Sequence, residues 1–436
     1  MFIMKESEVD WIKRIPTHWN TNKCKYISLF INGYSFDSKK LISDYIFPVI
    51  RIGDINGGKI NYSSILGVKS NNGLQQYKTQ PNDILLAMSG ATVGKIGLVN
   101  IDDKASYINQ RVGIIRSKFS KYLFYCLSTN SFIEYILLNA LGSAQPNVST
   151  NIFNNFKIPF PSLIEQHKIA DFLDQKCSEI DALTADIQTQ IETLEEYKKS
   201  VITEAVTKGL DPNVEMKDSG VEWIGKIPKS WPVIRLKYSS WLKGRIGWQG
   251  LRTDEFIEDE QKPYLITGTD FDNGYINWNT CVHISEERYM QDLAIHIKEN
   301  DLLITKDGTI GKVAVAKNCP EKVSLNSGVF IIRNTRNYKY NDRYMYYLIQ
   351  SEQFCKWFEL SNSGNSTIRH LNQEKFYNFA FTYPSITEQT KIADSLDKKC
   401  SEIDMTISEK QQQLETLAEY KKSLIYEYVT GKKEVA

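Results

Sequence analysis

An α+β chain of two mixed α/β domains, each followed by a long helix, with the two helices pairing as an antiparallel coiled coil, is the fold this sequence predicts. Three observations predict it. Residues 165–181, EQHKIADFLDQKCSEID, return at 388–404 as EQTKIADSLDKKCSEID, with 14 of 17 positions identical and only His167/Thr390, Phe172/Ser395 and Gln175/Lys398 differing. The copies begin 223 residues apart, too long a period for a solenoid unit, so a whole domain and its connector are duplicated. The same order recurs at other points: VDWIKRIPTHW (Val9–Trp19) returns as VEWIGKIPKSW (Val221–Trp231), and YKKS at Tyr197–Ser200 returns at Tyr420–Ser423. Finally, both repeated connectors carry helical periodicity, which makes an internal pseudo-two-fold arrangement the natural packing.

In chain order, the predicted segments are a first domain over 1–162, a first helix over 163–210, a second domain over 211–385 and a second helix over 386–436. Within the first domain, strand-like apolar runs fall at 47–52, 84–88, 95–99 and 112–115, followed by an aromatic helical stretch at 122–138. The second domain repeats them at 302–305, 312–316 and 329–332, with a helical stretch at 343–360. DILLAMSGATVGKIGLV (Asp83–Val99) resembles DLLITKDGTIGKVAVA (Asp301–Ala316), and YINQRVGIIRS (Tyr107–Ser117) resembles SLNSGVFIIRN (Ser324–Asn334). The strands recur while the residues of the adjoining loops change identity.

In the connectors, apolar positions step by four and three from Leu173 through Cys177, Ile180, Ile187 and Ile191 to Ala205, and from Leu396 through Cys400, Ile403 and Ile407 to Tyr428. This is a 3.5-residue seam flanked by charge. Thr184, Lys198, Lys410 and Lys421 interrupt it, and such polar interruptions fix register at some cost in stability. Gly209 and Pro212 stop the first helix, and Gly431 stops the second. An apolar seam on one long helix needs a partner, and each copy supplies the other; antiparallel pairing places Leu173 near Leu424 and Leu396 near Val201.

Composition describes a folded chain without a bulk nucleic-acid signature: 53 Lys and Arg against 52 Asp and Glu, net charge +1. The seven cysteines form no C-x-x-C pair and read as packed free thiols. With no signal-peptide pattern and no run of about 18 apolar residues, the expectation is a cytoplasmic protein without a membrane span.

Motifs for catalysis are missing from the sequence. GATVGK (Gly90–Lys95) has three residues between its glycines and Ile96 after the lysine, so it reads as a hairpin turn and not a phosphate loop. The five histidines show no metal-ligand spacing, and there is no H-E-x-x-H, G-x-S-x-G or G-x-G-x-x-G. Polar loop chemistry remains. Asn109, Gln110, Arg111, Gln145, Asn147, Asn365, Ser366, Arg369 and His370 are residue types that pair with base edges and phosphates. Arg51, Lys95, Lys306 and Lys312 join Arg369 as candidates to neutralise backbone charge. Lys95 and Lys312, at hairpin tips, are assigned to phosphates; Gln145, Asn147, Asn365 and Arg369 are assigned to base edges.

The doubled WIxxIPxxW motif, the doubled SGxTxGK-like hairpin and the doubled EQxKIADxLDxKxxEID helix start together resemble the specificity subunits of type I restriction–modification systems. The resemblance spans nearly the whole chain. It implies two target-recognition domains, each reading one half of a split double-stranded DNA target. It also implies a helical spacer that sets the half-site distance and docks two methyltransferase subunits, with two restriction/translocase subunits joining the complex. No cofactor is expected on this chain: S-adenosylmethionine, ATP and Mg²⁺ belong to the partner subunits, and the chain alone is not an enzyme. One departure is that the second hairpin, KDGTIGK (Lys306–Lys312), is a residue shorter than SGATVGK. The alternative is a coiled-coil scaffold whose two globular domains bind protein partners; an autonomous nuclease or methyltransferase is disfavoured by the missing motifs.

Overall fold

A computed structural model describes residues 3–9, 11–69, 73–139, 147–246, 250–335, 338–362 and 370–435. The chain divides into two units, one of Met1–Gln188 with Gln412–Ala436 and the other of Thr189–Gln411. Each unit therefore takes the start of one long helix and the end of the other.

The repeated tryptophan motif folds the same way in both units. Met4–Glu6 pairs antiparallel with Arg14–Pro16, and Met216–Asp218 pairs in the same register with Lys226–Pro228. Trp11 and Trp223 donate their indole N–H groups to the carbonyls of Lys157 and Ala380, at 2.9 Å in both cases. Trp19 and Trp231 are buried. These aromatic residues recur because they anchor the core.

Each unit is built on a sheet whose central strands pair antiparallel; in the second unit Tyr275–Ile276 joins Val313–Val315 in parallel. In the first unit the order is Ile96–Leu98, Ile84–Ala87, Val112–Arg116, Leu29–Asn32. In the second, Ser240–Gly244, Val329–Asn334, Leu302–Thr305 and Val313–Val315 are joined by Tyr275–Ile276 and Phe271–Asp272. All four residues of Ile84–Ala87 and of Leu302–Thr305 are buried, which is why these strands read as continuous apolar runs: both faces are covered. Side chains alternate between two cores. Ile84, Leu86 and Ile115 face the helices, while Leu85, Val112 and Ile114 face a smaller core under the loops. The second unit divides Leu302, Ile304 and Ile332 from Leu303 and Ile331 in the same way. A three-stranded sheet completes each unit, centred on Phe47–Ile50 in one and Tyr264–Ile266 in the other.

The aromatic helical stretches are each broken in two, a difference from the single runs the sequence predicts: Ser120–Leu127 and Asn130–Asn139, Asp342–Gln350 and Glu352–Ser361. Hydroxyls at the breaks capture last-turn carbonyls. Thr129 Oγ1 donates to Cys126 O at 2.8 Å, and Ser351 Oγ to Leu348 O at 2.6 Å. Apolar periodicity alone does not see this competition.

The long helices run from Leu163 to Lys208 and from Ile386 to Val429. Ser162 and Ser385 cap them, each accepting the N–H of the glutamate three residues on at 3.3 Å. Gly209 and Gly431 end them at φ 78° and 70°, and a Cβ there would crowd Trp231 or Pro16. In the first unit Leu173, Cys177 and Ile180 share a core with Leu424, Ile425 and Val429. In the second, Ile202 and Ala205 share one with Ile392, Leu396 and Cys400. The start of each helix thus lies against the end of the other, which is the predicted antiparallel pairing. The seam lysines find acidic partners across it: Lys421 pairs with Asp181, and Lys198 with Asp404 at 2.6 Å. A buried tyrosine locks each junction. Tyr122 Oη donates to Pro159 O and Val429 O, and Tyr344 Oη to Thr382 O and Val206 O.

The cysteines are free, and Cys177 and Cys400 are buried at equivalent seam positions. Burial raises both thiols above their ordinary pKa, so they pack as neutral side chains. Among the described residues no helix is long and apolar enough to cross a membrane.

Candidate nucleic-acid interface

The sheet ladders bring the candidate loops of the first unit together. Strand Ile84–Ala87 ends beside the start of Val112–Arg116, with Ala87 opposite Val112. Beyond that pair, Met88 N donates to Arg111 O at 2.9 Å and Val148 N donates to Met88 O at 2.8 Å. Asn147 bridges to Ser89, and Asn109 N donates to Ile50 O at 2.9 Å. Gly90 lies against the Ile52 side chain, 3.6 Å from where its Cβ would be. Arg51, the hairpin that ends at Lys95, Asn109–Arg111 and Asn147 therefore form one loop cluster at one end of the sheet.

Their availability differs. Gln110, Arg111, Asn147 and Lys95 are exposed. Lys95 Nζ lies 3.5 Å from Asn56 Oδ1. Arg111 makes no ion pair with the described residues. Asn109 is buried. Arg51 is committed internally: its guanidinium donates to the Asp54 carboxylate at 3.3 and 3.4 Å and to Ser64 O at 3.3 Å. Geometry thus separates Arg111 and Lys95, which present charge outward, from Arg51, which braces the loop.

In the second unit the same places are filled by different side chains. Lys306 N donates to Gly328 O, and Leu371 N to Lys306 O, repeating the contacts of Met88. Lys312 is exposed at the hairpin tip. Lys306 pairs with Asp307 at 2.8 Å, and His370 Nδ1 meets the other oxygen of Asp307 at 2.5 Å. Burial works to raise the Asp307 pKa, but the hydrogen bonds and charges of Lys306 and His370 outweigh it and leave the carboxyl below its ordinary value. Glycines turn both hairpins, Gly90 and Gly94 at φ 78° and 83°, Gly308 and Gly311 at 69° and 86°. Gln145, Asn365, Ser366 and Arg369 lie outside the described residues.

Two features escaped the sequence reading. Arg245 follows strand Ser240–Gly244 and is 2% exposed, donating to Leu325 O, Ser324 Oγ and Gln291 Oε1. Burial, then the nearby Arg288, lowers its pKa. It ties the loop after its strand to the segment preceding Gly328. In the first unit Tyr34 is 40% exposed, contacts Phe36 and Tyr77 at ring separations of 5.0 and 5.3 Å, and bridges to Asn109. The strand–Gly–aromatic pattern NGYSF was the available signal.

The long helices carry a second candidate surface. Of the identical residues in the repeat, Ile169, Leu173 and Cys177 are buried, as are their counterparts Ile392, Leu396 and Cys400. Asp174 and Asp397 accept hydrogen bonds from Tyr125 and Tyr347, at 2.7 Å in each unit. Packing explains those. It does not explain Lys168, Asp171, Ser178 and Glu179, which are exposed and identical to the exposed Lys391, Asp394, Ser401 and Glu402. Their spacing places them along one side of a helix.

Among the described residues no group of three or more His, Cys, Asp or Glu side chains is placed to hold a metal ion. The arrangement offers amides, guanidinium and ammonium groups on loops held by a rigid sheet, a chemistry of recognition.

The family model described as the type I restriction modification DNA specificity domain matches twice, over residues 16–193 and 247–416. The type I restriction enzyme MjaVIII specificity subunit of Methanocaldococcus jannaschii is 28% identical over 358 residues, 80% of this chain and 79% of that protein. The type I restriction enzyme EcoBI specificity subunit of Escherichia coli is 23% identical over 414 residues, 90% of this chain and 84% of that one. Among solved structures, a chain from work on complex assembly and conformational transition of the type I R-M system shares the fold. Its TM-score is 0.70 at 16% identity, covering 96% of this chain and 99% of its own. The HsdS subunit from Thermoanaerobacter tengcongensis gives 0.50 at 16% identity, covering 98% and 100%. With the domain matched twice and over more than half its length, this chain belongs to the type I restriction modification DNA specificity domain family.

Proposed function

We propose that the two units read the two halves of a bipartite double-stranded DNA target and that the long helices dock two methyltransferase subunits. The observation that carries this is the repetition itself. The same scaffold presents a loop cluster at the same end of both sheets, with shared framework hydrogen bonds and different exposed side chains. A duplicated frame with diverged loops suits the reading of two different sequences. The exposed stripe Lys168, Asp171, Ser178 and Glu179 diverges least of all, and its exact recurrence at Lys391–Glu402 suits one kind of partner bound twice. In this reading the chain itself is not catalytic. Methyl transfer with S-adenosylmethionine, and ATP- and Mg²⁺-dependent translocation and cleavage by two restriction subunits, belong to its partners.

With a net charge of +1, the chain lacks bulk attraction for DNA, so a few placed cations and the partner subunits must hold the duplex. The test is an electrophoretic shift of the chain assembled with its methyltransferase subunits, on duplexes whose candidate sites come from sequencing methylated adenines in the host. A shift that needs both half-sites supports the proposal. Assembly with no preference for any duplex would leave the chain a protein scaffold.

A further inference from the structure

Strand Leu29–Asn32 of the first unit and strand Ser240–Gly244 of the second leave their sheets at the end that carries the candidate reading loops. Asn32 pairs with Gly113 and Gly244 with Phe330, the residues next to Val112 and Val329. The residues that follow are therefore equivalents, Gly33 with Arg245 and Tyr34 with Ile246, at the same spacing that separates the two tryptophan motifs. Each unit fixes this exit by its own means. In the first, Gly33 lies so close to Asn109 that a Cβ would stand 2.0 Å from its carbonyl oxygen. Tyr34 N donates to Ile108 O at 3.0 Å, and the Tyr34 ring is backed by Phe36 and Tyr77. In the second, the Arg245 guanidinium reaches the equivalent carbonyl, Leu325 O, at 2.9 Å. Leu251, beyond it, exchanges hydrogen bonds of 3.0 and 3.2 Å with the Asn326 side chain. The residue after the brace is left outward in both units: Tyr34 is 40% exposed and Ile246 48% exposed.

A single exposed apolar residue is ordinary on a protein surface. Here one position is apolar and outward in both copies, while the residue before it is held against the sheet and the exposed neighbours in the first unit are Gln110, Arg111 and Asn147. Tyrosine and isoleucine share no hydrogen-bonding group and no π-face, so neither a phosphate contact nor base stacking is common to the pair. What they share is apolar surface. Along base edges in the major groove the apolar group is the thymine 5-methyl, and amide and guanidinium groups read the donors and acceptors beside it. We infer that Tyr34 and Ile246 are specificity-determining residues, each packing against the 5-methyl of a thymine in its own half-site. The inference rests on the proposed reading of DNA by the two loop clusters.

The test uses the full chain assembled with its methyltransferase subunits, on duplexes in which deoxyuridine replaces each thymine of the target in turn, on both strands. Wild type should lose about fourfold in affinity at a thymine in each half, the worth of one buried methyl group. Tyr34→Ala should abolish that loss in one half only, and Ile246→Ala in the other half only, so that thymine and uracil bind alike there. Tyr34→Phe should keep it. The exposed Ile246 decides the matter if Tyr34→Ala does not fold. So does 5-iododeoxyuridine at the sensitive thymine, which on irradiation of the wild-type complex should cross-link to the peptide carrying Tyr34. Variants that keep every methyl effect of wild type would overturn the inference. So would a Tyr34→Phe variant that weakens all duplexes alike, since the hydroxyl would then be a phosphate contact. A wild-type complex that selects its sequence but is indifferent to every thymine methyl would overturn the inference and leave half-site reading intact. A complex without any sequence preference would overturn both.

Discussion

Two arginines five residues apart, one in a loop and one in the strand that follows it, show what a side chain's surroundings decide. In NQRVGIIRS, Arg111 and Arg116 are indistinguishable as sequence. Arg111 is exposed in the loop cluster, whereas Arg116 grips Asp83 with two hydrogen bonds of 2.8 and 2.7 Å and reaches Lys78 O. The second unit repeats that grip with Arg333 and Asp301, so Arg116 is framework. Its replacement by Ala leaves the buried Asp83 carboxylate unpaired and should cost about 3 kcal/mol of stability, read by chemical denaturation, with no change in the choice of DNA sequence. Arg111→Ala should leave stability within about 0.5 kcal/mol of wild type and weaken DNA binding by the assembled methyltransferase. The opposite pattern would exchange their roles. A second contrast separates the kinds of DNA contact. Lys95→Ala or Lys312→Ala should weaken binding to all sequences alike and reduce the salt slope by about one unit. Asn147→Ala should instead cost about 1–3 kcal/mol at one base position. Affinities for a panel of single-base variants at two salt concentrations read both. Identical behaviour of the lysine and amide variants would remove these loops from the reading surface.

At the scale of elements, the helices were legible because a duplicated 3.5-residue seam has one economical burial, in its own copy. The seam polar residues were legible as well: Lys198 and Lys421 interrupt it and each meets an aspartate, Asp404 and Asp181, that the repeat also duplicates. The strands were legible as apolar runs. The breaks at Thr129 and Ser351 were not, since side-chain hydroxyls compete with the helix locally while the apolar period continues through them. Nor did residue type separate Arg51, spent on Asp54, from Arg111; that difference lies in which carboxylate the fold brings near. The paired lysine–aspartate contacts also refine a test of the helices as a spacer. Four residues inserted into both Ala182–Glu195 and the equivalent 405–418 add roughly one helical turn of ~5.4 Å, nearly keep the seam phase and preserve both ion pairs. One base pair advances DNA by ~3.4 Å. The variant should therefore recognise the same half-sites with one or two more base pairs between them, as read from the methylated adenines it leaves. Unchanged spacing in a folded variant would end the spacer proposal.

For the whole molecule, the duplication makes modularity testable. Each unit has its own sheet, its own two cores and its own tryptophan hairpin, and each closes on helix ends through the same tyrosine contacts, Tyr122 to Val429 and Tyr344 to Val206. Exchange of residues 20–160 for the corresponding segment of a relative keeps the first hairpin strands and all of both long helices. It replaces Tyr122 and Pro159, so the donor must supply an equivalent tyrosine for the junction to form. Where it does, the chimera should assemble with methyltransferase subunits as before, because the exposed stripe from Lys168 to Glu179 and its twin are untouched. Its methylation pattern should change in one half of the target and keep the other, since the loops near Lys312 and His370 belong wholly to the second unit. The physical reason is that additivity holds for sites that share no side-chain partners, and the hydrogen bonds that hold each loop cluster come from its own sheet. Sequencing of methylated adenines made by the chimera decides the outcome. A stable, assembled chimera that loses recognition of both halves would mean that the two loop clusters read DNA as one surface, and the modular account would fail.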